Sequence, residues 1–230
     1  MMKLKIAFAL LWGILATGQA YAHNSNAQSS INPQLKSIEH FPQTLSKECR
    51  DGLAKLHDEC GDQVTIVKNA IEAAKQQNKN VLLIYGGEWC IWCHVLDRYF
   101  NGKIQTHDYV WRDSNGDLSE WIMNETVSQD DIDNAILLNH YMADNFVIAH
   151  IDGDYANGND ALAYVDYHHK IYFYPTIMVL DKQGQFAAMM PPATTIDGLS
   201  FRELNGQAYR GYDRKILLQE IQKLHQAANF

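Results

Sequence analysis

The sequence has little with which to hold a polyanion. Its 19 Lys and Arg are set against 27 Asp and Glu, a formal net charge of −8. An acidic surface repels phosphate backbones and anionic headgroups, which excludes nucleic acid as a partner. Beyond the first residues no apolar run approaches the roughly 20 residues that a membrane-spanning helix needs. There is no internal repeat and no long low-complexity tract. Cysteine is scarce too: Cys49, Cys60, Cys90 and Cys93 are the full set of four. A structural zinc site built on Cys90 and Cys93 would need two further ligands, commonly a second close pair, and Cys49 and Cys60 are too widely spaced to supply one. No metal is assigned on this spacing.

Residues 1–22 have the pattern of a secretory signal peptide. Lys3 and Lys5 open it, Ile6 to Leu15 forms a short apolar stretch, and Ala20-Tyr21-Ala22 is an A-x-A cleavage site. The expectation is export to the periplasm, an oxidising compartment in which disulfides persist. Both lysines leave with the signal, so the mature chain is more acidic still.

The stretch Glu88-Trp89-Cys90-Ile91-Trp92-Cys93-His94 carries the chemistry. It follows an apolar run, Val81-Leu82-Leu83-Ile84-Tyr85, with the length and β-branched content of a buried strand, and the pair Gly86-Gly87. After Cys93, the residues Val95, Leu96, Tyr99 and Phe100 repeat at helical spacing. The pattern predicts strand, glycine turn, and Cys90 at the first turn of a helix. Free backbone N–H groups and the helix dipole stabilise a thiolate there, so Cys90 should titrate below the free-thiol value of about 8.5. Cys93, one turn further in, can attack a mixed disulfide formed at Cys90.

Trp-Cys-x-x-Cys after a buried strand resembles the active-site signature of the thioredoxin superfamily, and the Trp-Cys-x-Trp-Cys-His form looks most like its periplasmic reductase branch. A second landmark agrees: Tyr174-Pro175-Thr176, then the apolar Ile177-Met178-Val179-Leu180 and the turn Asp181-Lys182-Gln183-Gly184. The resemblance covers roughly residues 64–190 and the last helix. It implies a thioredoxin-like α/β fold, a cis Pro175 facing the cysteines, and a substrate groove flanked by Tyr174 and Thr176, with Trp89 and Trp92 beside it. It also implies that no cofactor is needed and that the partners are protein disulfides and thiols, with a membrane redox protein as an electron source. One departure stands out. Where thioredoxins carry a buried acid six residues before the first cysteine, this chain has Ile84. The nearest groups in sequence to take the proton of Cys93 are Glu88 and His94.

Cys49 and Cys60 remain as a pair. In one straight helix they would lie about 16 Å apart, whereas a disulfide needs Cα atoms within about 7 Å, so pairing requires the chain to turn back between them. A structural staple and a second redox centre are both open readings.

The domain plan is a signal peptide (1–22), an N-terminal extension (23–63) and a thioredoxin-like domain (64–230) with an insertion at about 101–127. Helices are expected over 64–79, from Ser128 as N-cap to about 144 with Ile132, Ile136, Leu137 and Tyr141 inward, over 161–170, and over 212–228. Phe146–Ile151 reads as a parallel core strand, residues 194–207 as loop, and Asp152–Asp160 as a polar loop that fails as a calcium site. Trp111 and Trp121 are expected to pack the insertion onto the domain; exposed near the active site, they would instead suit substrate docking. The function expected is thiol–disulfide exchange through Cys90 and Cys93, leaning to reduction, with a potential between about −180 and −270 mV. The alternatives are a disulfide oxidase or isomerase, and a metal-binding module using Cys90, Cys93 and a histidine.

Overall fold

The computed structural model describes residues 35–46, 48–50, 52, 54–103, 109–112, 118–121, 128–191, 199–204 and 207–229, with 109–112, 118–121, 199–204 and 207–211 as backbone only. The signal-peptide expectation for 1–22 lies outside the described residues. Among these residues no helix is long and apolar enough to cross a membrane.

Two strands carry the core: β2 (Asn80–Gly86) and β5 (Phe146–Asp152), both buried along their whole length. They pair in parallel, from Asn80 against Phe146 to Gly86 against Asp152. Strands covered on both faces have no need of a polar alternation, which explains the continuous apolar run. The sheet order is β1-β5-β2-β6-β7. β1 (Glu39–Phe41) runs parallel to β5, while β6 (Thr176–Leu180) and β7 (Phe186–Met189) are antiparallel.

Successive β2 side chains point to opposite faces. Leu82 and Ile84 face α2 (Ile91–Phe100), α3 (Gln129–Asn145) and α5 (Arg214–Ala227). Val81, Leu83 and Tyr85 face α1 (Gln63–Gln76) and α4 (Gly158–Tyr164). Each fully buried Leu or Ile contributes about 1.5–3 kcal/mol relative to exposure, so β2 anchors both layers of the sandwich. This is a mixed α/β, thioredoxin-like topology with an added N-terminal strand.

Several sequence expectations shift. Helix α3 starts at Ser128 through a capping box with Asp131, but it buries Ala135, Leu138, Asn139, Met142 and Ala143 and leaves Leu137 55% exposed. A buried Asn139 decides the rotation: its side chain bonds Lys36 and the Phe100 carbonyl, a pull that hydrophobic periodicity cannot register. Helix α4 begins at Gly158 and has ended by Val165, earlier than expected, because the Asn157 turn starts it and Asp166 takes a positive φ of 62°. β8 (Leu199–Leu204) and β9 (Gln207–Tyr212) pair antiparallel, so much of the stretch expected as loop over 194–207 is strand. Within the insertion, β3 (Tyr109–Arg112) pairs with β4 (Leu118–Trp121). The side chains of Trp111 and Trp121 lie outside the description.

Residues 35–63 are woven into the domain. Beyond β1, the chain turns back between Cys49 and Cys60, which are disulfide-bonded with Cα atoms 5.8 Å apart. Closing a loop of this size removes chain entropy from the unfolded state, worth roughly 3 kcal/mol in the simplest treatment. Asp58, buried inside the loop, accepts from the Ser46 hydroxyl and from the Gly61 N–H.

Candidate active site

Cys90 is the N-cap of α2, and its Sγ accepts a hydrogen bond from the Cys93 N–H at 3.2 Å. The backbone thus aims a donor at the sulfur, the arrangement that stabilises a thiolate when the pair is reduced. Cys90 and Cys93 form a disulfide with Cα atoms 5.3 Å apart. Cys93 is fully buried and Cys90 only 3% exposed. The glycine before the motif makes room for them: a Cβ on Gly86 would stand 2.5 Å from the Cys93 sulfur.

Aromatic rings frame the pair. Trp89, 47% exposed, donates its indole N–H to Asp154 and meets Tyr174 edge-on at 5.7 Å. Tyr174 also stacks on Tyr85. Burial, helped by Tyr174, Asp152 and Asp154, pushes the Tyr85 phenol up to about 12, and burial with the charges of Asp154 and Asp152 raises Tyr174 as well. Trp92 packs against the disulfide and lies edge-on to Tyr212. The Tyr174–Pro175 peptide is cis, and Thr176, fully buried, pairs with Tyr85 in the β2–β6 register. Trp89, Trp92 and Tyr174 therefore stand around the disulfide, while Thr176 is turned inward.

Glu88 and His94 have different occupations from the proton handling expected of them. The Glu88 carboxylate accepts from the backbone N–H groups of Lys55, Leu56 and His57 at 2.8, 3.0 and 2.8 Å. It is a clamp that fastens the 55–57 segment against the active site. His94 donates its Nε2–H to the Glu88 carbonyl at 2.6 Å, holding the turn before Cys90. Neither is aimed at Cys93 by these bonds.

The residue beside Cys93 is His57, which sequence reasoning missed. A Cβ built on Gly86 would touch both Cys93 Sγ, at 2.5 Å, and His57 Nε2, at 3.2 Å, so the imidazole and the sulfur flank one methyl-sized space. His57 is fully buried and neither ring nitrogen has a hydrogen-bond partner among the described residues. Burial, reinforced by His150 and His94, holds its pKa well below the usual value, so the ring is neutral and proton transfer to it from Cys93 runs uphill. A thiolate formed alongside would favour the imidazolium and ease that transfer. His57 lies 33 residues before Cys90 and outside the stretch that resembles thioredoxins, so no local pattern pointed to it.

The missing acid also has a structural counterpart. Ile84 is fully buried, and its β5 neighbour in register is His150, itself 2% exposed. The ring of His57 meets that of His150 edge-on at 5.4 Å. Elsewhere, Asp152 Oδ1 accepts from the N–H groups of Asp154 and Tyr155, so the loop after β5 closes on its own carboxylate, in keeping with a polar loop.

No family model and no curated protein matches the chain. Among solved structures, a disulphide isomerase from Xylella fastidiosa is similar over 72% of this chain and 95% of its own, at 18% identity and a TM-score of 0.39. A likeness that distant carries no argument, and the assignment rests on the geometry. The site is a CxxC pair at the start of a helix, packed against Tyr174 of a cis Tyr174–Pro175 peptide in a thioredoxin-like sheet, an arrangement able to exchange disulfides.

Proposed function

We propose that the chain exchanges disulfides with exported proteins and works with the balanced potential of an isomerase more than as a committed reductase. The exchange itself follows from the site. The Cys90 thiolate attacks a substrate disulfide, one substrate sulfur leaves as a thiolate, and a mixed disulfide forms. Cys93 then gives up its proton and attacks Cys90 Sγ. This closes the Cys90–Cys93 disulfide and releases the substrate as a dithiol. In isomerisation a second substrate thiol displaces Cys90 instead, and no net electrons move.

The observation that carries the isomerase reading is the clamp at Glu88. A free Glu88 carboxylate near Cys90 would disfavour its thiolate and lean the pair to reduction. With three N–H donors on that carboxylate, much of its field is offset locally. A thiolate that is easier to hold moves the potential toward the oxidising side. The value expected is near the −180 mV typical of disulfide isomerases, at the upper end of the range from about −180 to −270 mV. Equilibration with glutathione followed by quantifying both forms gives the number, and refolding of a scrambled multi-disulfide protein gives the activity. A potential near −270 mV, with reduction but no rescue of the scrambled protein, would restore the reductase reading.

The signal-like residues 1–22 support export to the periplasm as part of this proposal. A mature N-terminus at His23 in the periplasmic fraction is the expected result, and full-length protein in the cytoplasm would overturn it. In an oxidising compartment the reduced pair must be regenerated, and a membrane redox protein is the proposed source of electrons.

A further inference from the structure

Behind the redox disulfide, on the α2 side of the sheet edge, three side chains from three elements meet. His40 comes from β1, His150 from β5 and Asp97 from α2, one helical turn after Cys93. His40 Nδ1 lies 3.2 Å from His150 Nε2, and Asp97 Oδ1 lies 3.5 Å from the first and 3.7 Å from the second. From this cluster we infer a binding site for a divalent transition-metal ion of the zinc class, with His40, His150 and Asp97 as ligands.

The distances are the first argument. A tetrahedral ion with ligand bonds of about 2.0–2.1 Å sets its ligand atoms about 3.3–3.4 Å apart. The three separations here fall around that edge length, so one ion fits between the atoms with little movement. As a hydrogen-bonded cluster the same atoms do poorly. Two ring nitrogens face each other and can share one proton, while the carboxylate oxygen is at or beyond the limit of a hydrogen bond from either.

Chemistry and access agree with the distances. Two imidazoles and one carboxylate form a donor set that suits zinc and its neighbours and leaves a fourth position open. The open side faces a cavity of about 320 Å³ lined also by Leu45, Lys55, Leu56 and Asn101, which admits an ion and a fourth ligand.

The site differs from any that would use the active-site sulfurs, because its ligands remain available when Cys90 and Cys93 are joined. That separates the two possibilities by experiment. The fully oxidised protein, freed of metal by chelation and dialysed, is titrated with Zn²⁺ by calorimetry and with Co²⁺ by visible absorption. One ion per chain is expected, with Co²⁺ bands of a tetrahedral nitrogen–oxygen site and no thiolate charge-transfer band. Loss of even an outer-shell partner costs about 10–100-fold in affinity, so Asp97→Asn and His40→Ala should each weaken binding by about 100-fold or more. A variant with the exposed His168 and His169 both changed to alanine should bind as the parent does. Circular dichroism and intact disulfides check the fold, and the near-isosteric Asp97→Asn decides the matter if His40→Ala does not fold. Absence of a bound equivalent in the parent, or unchanged affinity in Asp97→Asn, would overturn the inference.

Discussion

Cys93→Ala should turn the protein from a catalyst of net reduction into a trap. With the resolving sulfur gone, a mixed disulfide at Cys90 can be released only by a further substrate thiol, so net reduction should fall to background while isomerisation through that thiol persists. Covalent adducts should accumulate through Cys90 and be released by dithiothreitol, and mass spectrometry of the adducts identifies the substrates. A slower version of the same outcome is expected of His57→Ala, in which Cys93 remains but has lost its neighbouring base. Positioned general bases contribute about 10²–10⁴-fold, so resolution of the mixed disulfide should slow by about 100-fold at neutral pH. The loss should shrink as pH rises and hydroxide deprotonates Cys93 directly. Single-turnover release of a substrate from the mixed disulfide, followed across pH, measures both effects. If His57→Ala resolves at the parent rate throughout, the imidazole has no part in the proton transfer.

Glu88→Ala should be the most costly change that leaves the cysteines and core untouched. Three backbone N–H groups lose their acceptor, and those of Leu56 and His57 belong to buried residues. An unsatisfied buried donor costs about 1–3 kcal/mol, which puts the loss at about 2–5 kcal/mol. Glu88→Gln keeps one carbonyl oxygen and should lose less. Denaturant unfolding monitored by tryptophan emission gives the difference. Hydrogen exchange at residues 55–57 should rise in both variants before global stability falls, because the carboxylate is the direct partner of those amides. Parent-like protection of those three amides in Glu88→Ala would mean that other contacts hold the segment.

These outcomes mark what was legible in the sequence. The apolar run at 81–85, the glycine pair and the helical spacing after Cys93 specified strand, turn and helix, because those signals are local. The orientation of α3 was not readable, since a buried Asn139 with partners at Lys36 and Phe100 overrode its periodicity. The β8–β9 pairing was legible but missed: Leu199-Ser200-Phe201-Arg202 alternates, and Asn205-Gly206 is a hairpin-turn dipeptide. Cys90, Cys93 and the aromatic frame could be named from sequence because motif spacing encodes them. His57, His40, His150 and Asp97 could not. They lie on separate elements, and only the parallel pairing of β1, β5 and β2 brings them behind the disulfide. Proximity along the chain pointed to Glu88 and His94 as proton carriers, whereas the fold employs both to fasten backbone.

The short strand β1 guards an edge. It covers the outer side of β5 by three paired residues, and without it β5 would present a row of unsatisfied amides and carbonyls on a largely apolar, otherwise buried strand. Such an edge is a template for another chain to add to. A truncation that starts at residue 64, where the resemblance to thioredoxins begins, would keep the CxxC motif yet expose that template. The shortened protein would be expected to self-associate before any loss of redox chemistry could be measured.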